Sequence, residues 1–126
     1  MNRLFSILFL IFLLTCVSVS QVLAGMPAAR ITDRTSASCT VVPGYGSANV
    51  FINGIRAAQE TNLLVCPAGG TGTLIVKGSN TVRINGLPAA RLGDSVIETI
   101  TYAYPPYWIV VPGTIAFGSP NVEIGG

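Results

Sequence analysis

The sequence predicts an all-β fold, a small domain of short strands behind a hydrophobic leader. Three observations lead there. Apolar residues alternate with period two in segments only a few residues long, the chain of 126 residues carries 14 glycines and 8 prolines, and one phrase recurs at fixed intervals. No window after Ala24 shows an apolar stripe of helical period, and the glycines and prolines would interrupt one.

The leader comes first. Met1-Asn2-Arg3 gives a positive start, residues 4–19 are an almost unbroken apolar run, and Ser20-Gln21-Val22-Leu23-Ala24 ends in small residues suited to cleavage. Residues 1–24 therefore read as a secretory signal peptide, and residues 25–126 as the one domain. A retained membrane anchor is the rival, because the run approaches the roughly 18 residues of a spanning helix. Lipoprotein processing at Cys16 fits poorly, since Thr15 stands where a small residue is expected. Without Arg3, six Lys and Arg face five Asp and Glu, a balance that gives no electrostatic case for nucleic acid.

Within the domain the phrase reads GSANVFINGIRAAQETN from Gly46, GSNTVRINGLPAARLGD from Gly78 and GSPNVEIGG from Gly118. MPAARITD at Met26 adds a fourth turn with no strand before it, and the third full copy stops where its turn would begin. Val50 and Ile52, Val82 and Ile84, and Val122 and Ile124 fall on one face of their strands, with Phe51, Arg83 and Glu123 on the other. Further apolar runs stand at 40–42, 73–76 and 108–111. The last interval is longer by an insertion bearing Tyr102, Tyr104, Pro105, Pro106, Tyr107 and Trp108, which reads equally as a contact patch for a protein or membrane and as the cover of an exposed face.

The turn residues carry paired charges. Arg30 and Asp33, and Arg91 and Asp94, stand three apart, a spacing at which a guanidinium can pair with the carboxylate. In the copy between them both are replaced together, by Gln59 and Asn62. Joint replacement is what physics favours, because one partner left alone in a partly buried site costs more than a neutral pair. Arg56, where the other turns have Pro27 and Pro88, loosens that turn.

The recurring phrase GS-x-x-V-x-ING-x-PAAR-x-GD, with its closing GSPNVEIGG, resembles the PAAR-repeat family, over essentially all of residues 26–126. The resemblance implies a small β-strand cone that sharpens the trimeric spike of type VI secretion systems and related contractile phage tails. Pro27, Ala28, Ala29, Arg30 and Asp33, and Pro88, Ala89, Ala90, Arg91 and Asp94, are then the turn residues that organise the cone. Its partner would be the trimeric spike protein and, at the moment of firing, the target membrane, with no nucleic acid and no small-molecule substrate.

The family's zinc site, usually three histidines and a cysteine, is degenerate here, because the chain has no histidine. Ala37 stands after Thr35-Ser36 where the family has one, Gly69 stands where its Cys-Pro-x-His has another, and Cys66 alone is retained. Four N, S or O donors are needed, so neither zinc nor any other cofactor is expected. Cys39 and Cys66 are candidates for a disulfide in place of the metal if the domain is exported; the alternative is two buried thiols. Without a histidine base, an activated cysteine or a recognisable carboxylate pair, no enzyme activity is expected.

The leader conflicts with the spike role, since spikes are loaded in the cytoplasm. A cleaved signal would place the domain in the periplasm or outside the cell, and an uncleaved one would anchor it at the inner membrane. An internal start at Met26 would restore a cytoplasmic product. The other reading is an exported envelope β-rich binding or scaffold protein that reuses the fold.

Overall fold

A computed structural model describes residues 25–102 and 107–125; the leader and the centre of the aromatic insertion lie outside the described residues. The chain forms β1 (Met26–Pro27), β2 (Thr40–Val41), β3 (Phe51–Ile52), β4 (Ile55–Arg56), β5 (Leu64–Val65), β6 (Leu74–Ile75), β7 (Arg83–Ile84), β8 (Leu87–Pro88), β9 (Ser95–Tyr102), β10 (Tyr107–Thr114) and β11 (Glu123–Ile124). No helix occurs among the described residues, and the molecule is the all-β cone that the sequence predicts.

The repeats fold as hairpins. β3 pairs with β4 and β7 with β8, each in antiparallel register, with Ile52 opposite Ile55 and Ile84 opposite Leu87. Asn53-Gly54 and Asn85-Gly86 make the turns with positive φ at both positions, at 54° and 77°, and at 52° and 83°. Such a turn matches the twist of the flanking strands and requires residues that tolerate left-handed backbone, which is why the phrase keeps ING.

The third hairpin corrects the sequence reading. β11 pairs with β1, Ile124 opposite Met26 and Glu123 opposite Pro27. The truncated GSPNVEIGG copy and the strandless MPAAR phrase are the two halves of one repeat, divided between the ends of the chain. The chain thus contains three repeats, circularly arranged. In the register of the other two hairpins, Gly125 and Gly25 occupy the positions of Asn53-Gly54, with the chain open between them.

The three repeats close around a pseudo-threefold axis. Ala29 N donates to Ala90 O, Ala90 N to Ala58 O, and Ala58 N to Ala29 O, all at 3.0 Å. The bridges Arg30 to Ala57, Gln59 to Ala89 and Arg91 to Ala28 run round the same circle. All six alanines are buried, at 1% exposure or less. Backbones meeting at an axis leave room only for small side chains, and this is the physical content of the Ala-Ala pair. Gly78 shows the same crowding, because a Cβ there would lie 2.7 Å from Ala89 O.

Each pair of alanines straddles two core layers. Ala28, Ala57 and Ala89 pack with Ile52, Ile84 and Ile124 at the hairpin end. Ala29, Ala58 and Ala90 pack with Val41, Leu64, Ile75, Val96, Ile115 and the two cysteines in the second layer. The threefold likeness holds at the hairpin end and is lost beyond the second layer, where β9 and β10 form an antiparallel ribbon of eight residues per strand and β6 pairs with its root at Val96 and Ile97. Tyr107 and Trp108, the described residues at the start of β10, lie at the outer end of this ribbon and are about half exposed.

Candidate functional site

Two regions hold the sequence-predicted residues: the ring of turns around the axis, and the place where a metal would sit in the second layer.

In the ring, each turn is built alike. Arg30 N donates to Asp33 Oδ2 at 2.8 Å, Arg91 N to Asp94 Oδ2 at 2.7 Å, and Gln59 N to Asn62 Oδ1 at 2.8 Å. The return bonds are Asp33 N to Arg30 O, Asp94 N to Arg91 O and Asn62 N to Gln59 O. In the two charged turns the guanidinium adds Nε and Nη2 bonds to the same carboxylate, in ion pairs of 2.9 and 3.0 Å whose groups are 8–15% exposed. The hydrogen bonds that Arg30 donates to Asp33 raise the Arg30 pKa above its ordinary value, against a smaller opposing effect of burial. Asn62 keeps the backbone bond of the missing aspartate, so the neutral copy loses the ion pair and preserves the turn. Arg56 also keeps its place: its carbonyl accepts from Ile31 N as Pro27 O does from Leu92 N and Pro88 O from Glu60 N.

The same three side chains reach forward to the next hairpin. Arg30 Nη1 donates to Asn53 Oδ1, Gln59 Nε2 to Ile84 O, and Arg91 Nη1 to Gly125 O. One residue per turn thus caps its own repeat and ties it to the next.

A second ring, not singled out from the sequence, involves the GS serines. Ser47, Ser79 and Ser119 are buried, and each accepts the backbone N–H three residues on, from Val50, Val82 and Val122. They also meet the neighbouring hairpin turn: Asn85 Nδ2 donates to Ser47 Oγ, Ser119 Oγ donates to Asn53 Oδ1, and Ser79 Oγ donates to Gly125 O. Asn53 and Asn85 further donate to Asn121 and Asn49. The signal was present in the recurring GS-x-N and ING spacing, but nothing in one strand's sequence says that its loop clasps a different repeat.

In the second layer, Cys39 and Cys66 form a disulfide, with S–S 2.07 Å and a sequence separation of 27. Cys39 is fully buried and Cys66 is 8% exposed. The loop after Cys39's partner turns back through Gly69 N to Cys66 O. Ala37 and Gly69 offer no side-chain donor, both thiols are committed to the disulfide, and no cluster of three His, Cys, Asp or Glu exists among the described residues. The donor set does not fit zinc.

A carboxylate closes this region instead. Glu98, 2% exposed on β9, accepts from Ser36 Oγ and from Ala37 N at 3.1 Å, beside the place of the absent histidine. Ser36 Oγ also accepts from Thr114 N. Gly113 makes this possible, because a Cβ there would lie among the Glu98 side-chain atoms. In the sequence Glu98 stands only as one of the two carboxylates of the stretch 94–98, where the family's last ligand is expected, and Gly113 is not singled out; a lone glutamate in a strand carries no local mark of its burial.

Fold and ring together define a threefold β cone assembled from a single chain, in which three equivalent hairpins interlock at one end. The PAAR motif family model matches residues 33–97, more than half of the sequence, and the chain belongs to that family. No curated protein matches it.

Proposed function

We propose that the protein is a non-catalytic structural tip, capping and sharpening the trimeric spike of a type VI secretion or phage-tail-like apparatus for membrane piercing. The observation that carries this reading is the cyclic ring of turns at the hairpin end. A trimer ending on its own axis presents three equal surfaces, and a monomer can engage all three only if its face repeats threefold. The hairpin end does so; the opposite end, with one disulfide and one long ribbon, does not. The docking face is therefore the hairpin end, and the ribbon leads.

A second reading has its own support. The Cys39–Cys66 disulfide persists in an oxidising compartment and is rare in the cytosol, and together with residues 1–24 it favours an exported envelope binding or scaffold protein on the same fold.

The test is to mix the protein with the trimeric spike protein of the same cell and determine the mass of the product by light scattering after size exclusion. One copy per trimer supports the tip. Absence of a complex at micromolar concentrations overturns it and leaves the envelope scaffold.

A further inference from the structure

We infer that three equivalent aliphatic side chains, Met26, Ile55 and Leu87, carry docking on the threefold partner, and that charge takes no part in it. The inference rests on the spike-tip reading and names the chemistry of that same face.

Its basis is what the three hairpins share and what they do not. Strand pairing sets Met26, Ile55 and Leu87 opposite Ile124, Ile52 and Ile84, so they occupy one equivalent position, beside the turn, on the hairpin face that holds the apolar layer. Met26 and Leu87 are 42% and 37% exposed and Ile55 is half-buried, whereas the isoleucines opposite them are 7–8% exposed. One exposed aliphatic is ordinary on a protein surface, but the same exposure repeated at equivalent positions around an axis marks a contact surface.

The other faces of the same hairpins agree in nothing. Their equivalent positions hold Phe51, Arg83 and Glu123, all exposed, with Arg56, Pro88 and Pro27 opposite. A trimer of identical chains presents one kind of site to all three hairpins at once. A site made anionic to suit Arg83 repels Glu123, and against Phe51 its own charge is desolvated without a partner; a cationic site fails against Arg83 in the same way. The turns offer no common group either, since Gly125 is the counterpart of Asn53 and Asn85, whose amides are engaged with the neighbouring repeat. An apolar site suits Met26, Ile55 and Leu87 alike, and an interface core is where charge is scarcest.

The experiment measures binding of the full chain to the purified trimeric spike protein of the same cell, at low salt and at about 1 M salt, where the screening length is about 3 Å. The variants are Met26→Gln, Ile55→Thr and Leu87→Gln, with Leu87→Met as an apolar exchange and Arg83→Ala and Glu123→Ala as charge removals. Each polar variant is expected to weaken binding by about tenfold or more, a change of about 1.4 kcal/mol per factor of ten. Leu87→Met, both charge removals and high salt are expected not to weaken it. Melting curves taken in parallel separate a lost contact from a lost fold, and Met26→Gln and Leu87→Gln, at the two more exposed positions, are expected to melt with the parent. Unchanged binding by those two, or weakening by Arg83→Ala, Glu123→Ala or salt, overturns this inference and leaves the tip reading intact. Failure of the parent chain to bind overturns the tip reading itself and the inference with it.

Discussion

The ion pair in the last PAAR turn offers a quantitative check on how these turns are held. Asp94→Ala removes three acceptor contacts at once, from Arg91 N, Nε and Nη2, at 2.7, 3.2 and 3.0 Å. It leaves a guanidinium that is 14% exposed without its carboxylate. Loss of one partner from a fully buried pair costs about 3–5 kcal/mol, and from an exposed pair at most about 1 kcal/mol. At this exposure the expected loss is about 2–3 kcal/mol, which for a domain of this size lowers Tm by about 10–20 °C. The double change Arg91→Gln with Asp94→Asn recreates the turn of Gln59 and Asn62, in which Asn62 Oδ1 still receives the backbone N–H at 2.8 Å. It should cost less than either Arg91→Gln or Asp94→Ala alone, with a favourable coupling of about 1–2 kcal/mol. Thermal unfolding under oxidising conditions, with the two single variants, Asp94→Asn and the double variant measured together, closes the cycle. Additive losses would refute the argument that the two charges were replaced jointly because each depends on the other.

Three further outcomes follow from the same geometry. Reducing Cys39–Cys66, or replacing both cysteines by alanine, should destabilise the domain by about 3 kcal/mol for a loop of this length, read as a fall in the urea midpoint between oxidised and reduced samples. Gly113→Ala should cost more than about 2 kcal/mol by driving a methyl into the Glu98 carboxylate, and adding Glu98→Ala should recover part of that loss; an unchanged melting curve for Gly113→Ala would contradict the packing described. Thr61 holds φ at 74°, where the equivalent Gly93 holds 87°; Thr61→Gly should therefore raise stability by about 0.5–1 kcal/mol, because a β-branched residue in left-handed backbone is strained, and a lower Tm would count against that strain.

Much of the fold was legible because it is local. The ING turns announce hairpins through residues that accept positive φ, the two-residue alternation places Ile52, Ile84 and Ile124 inward, and the Arg–Asp spacing fits one turn. These are properties of neighbours along the chain, which a linear reading can see. The count of repeats was not legible, since MPAAR at one end and GSPNVEIGG at the other look like a surplus and a deficit until β1 and β11 pair.

Sequence by itself determined the all-β class, the turn chemistry, and the want of histidine ligands, because each depends on residue type and short spacing. Tertiary structure alone decided the ring. Arg30, Gln59 and Arg91 each bond a hairpin other than their own, the GS serines do the same, and Glu98 meets Ser36 across 62 residues of chain. Such contacts join segments that are distant in sequence, and closure around an axis brings them together only when all three repeats are in place.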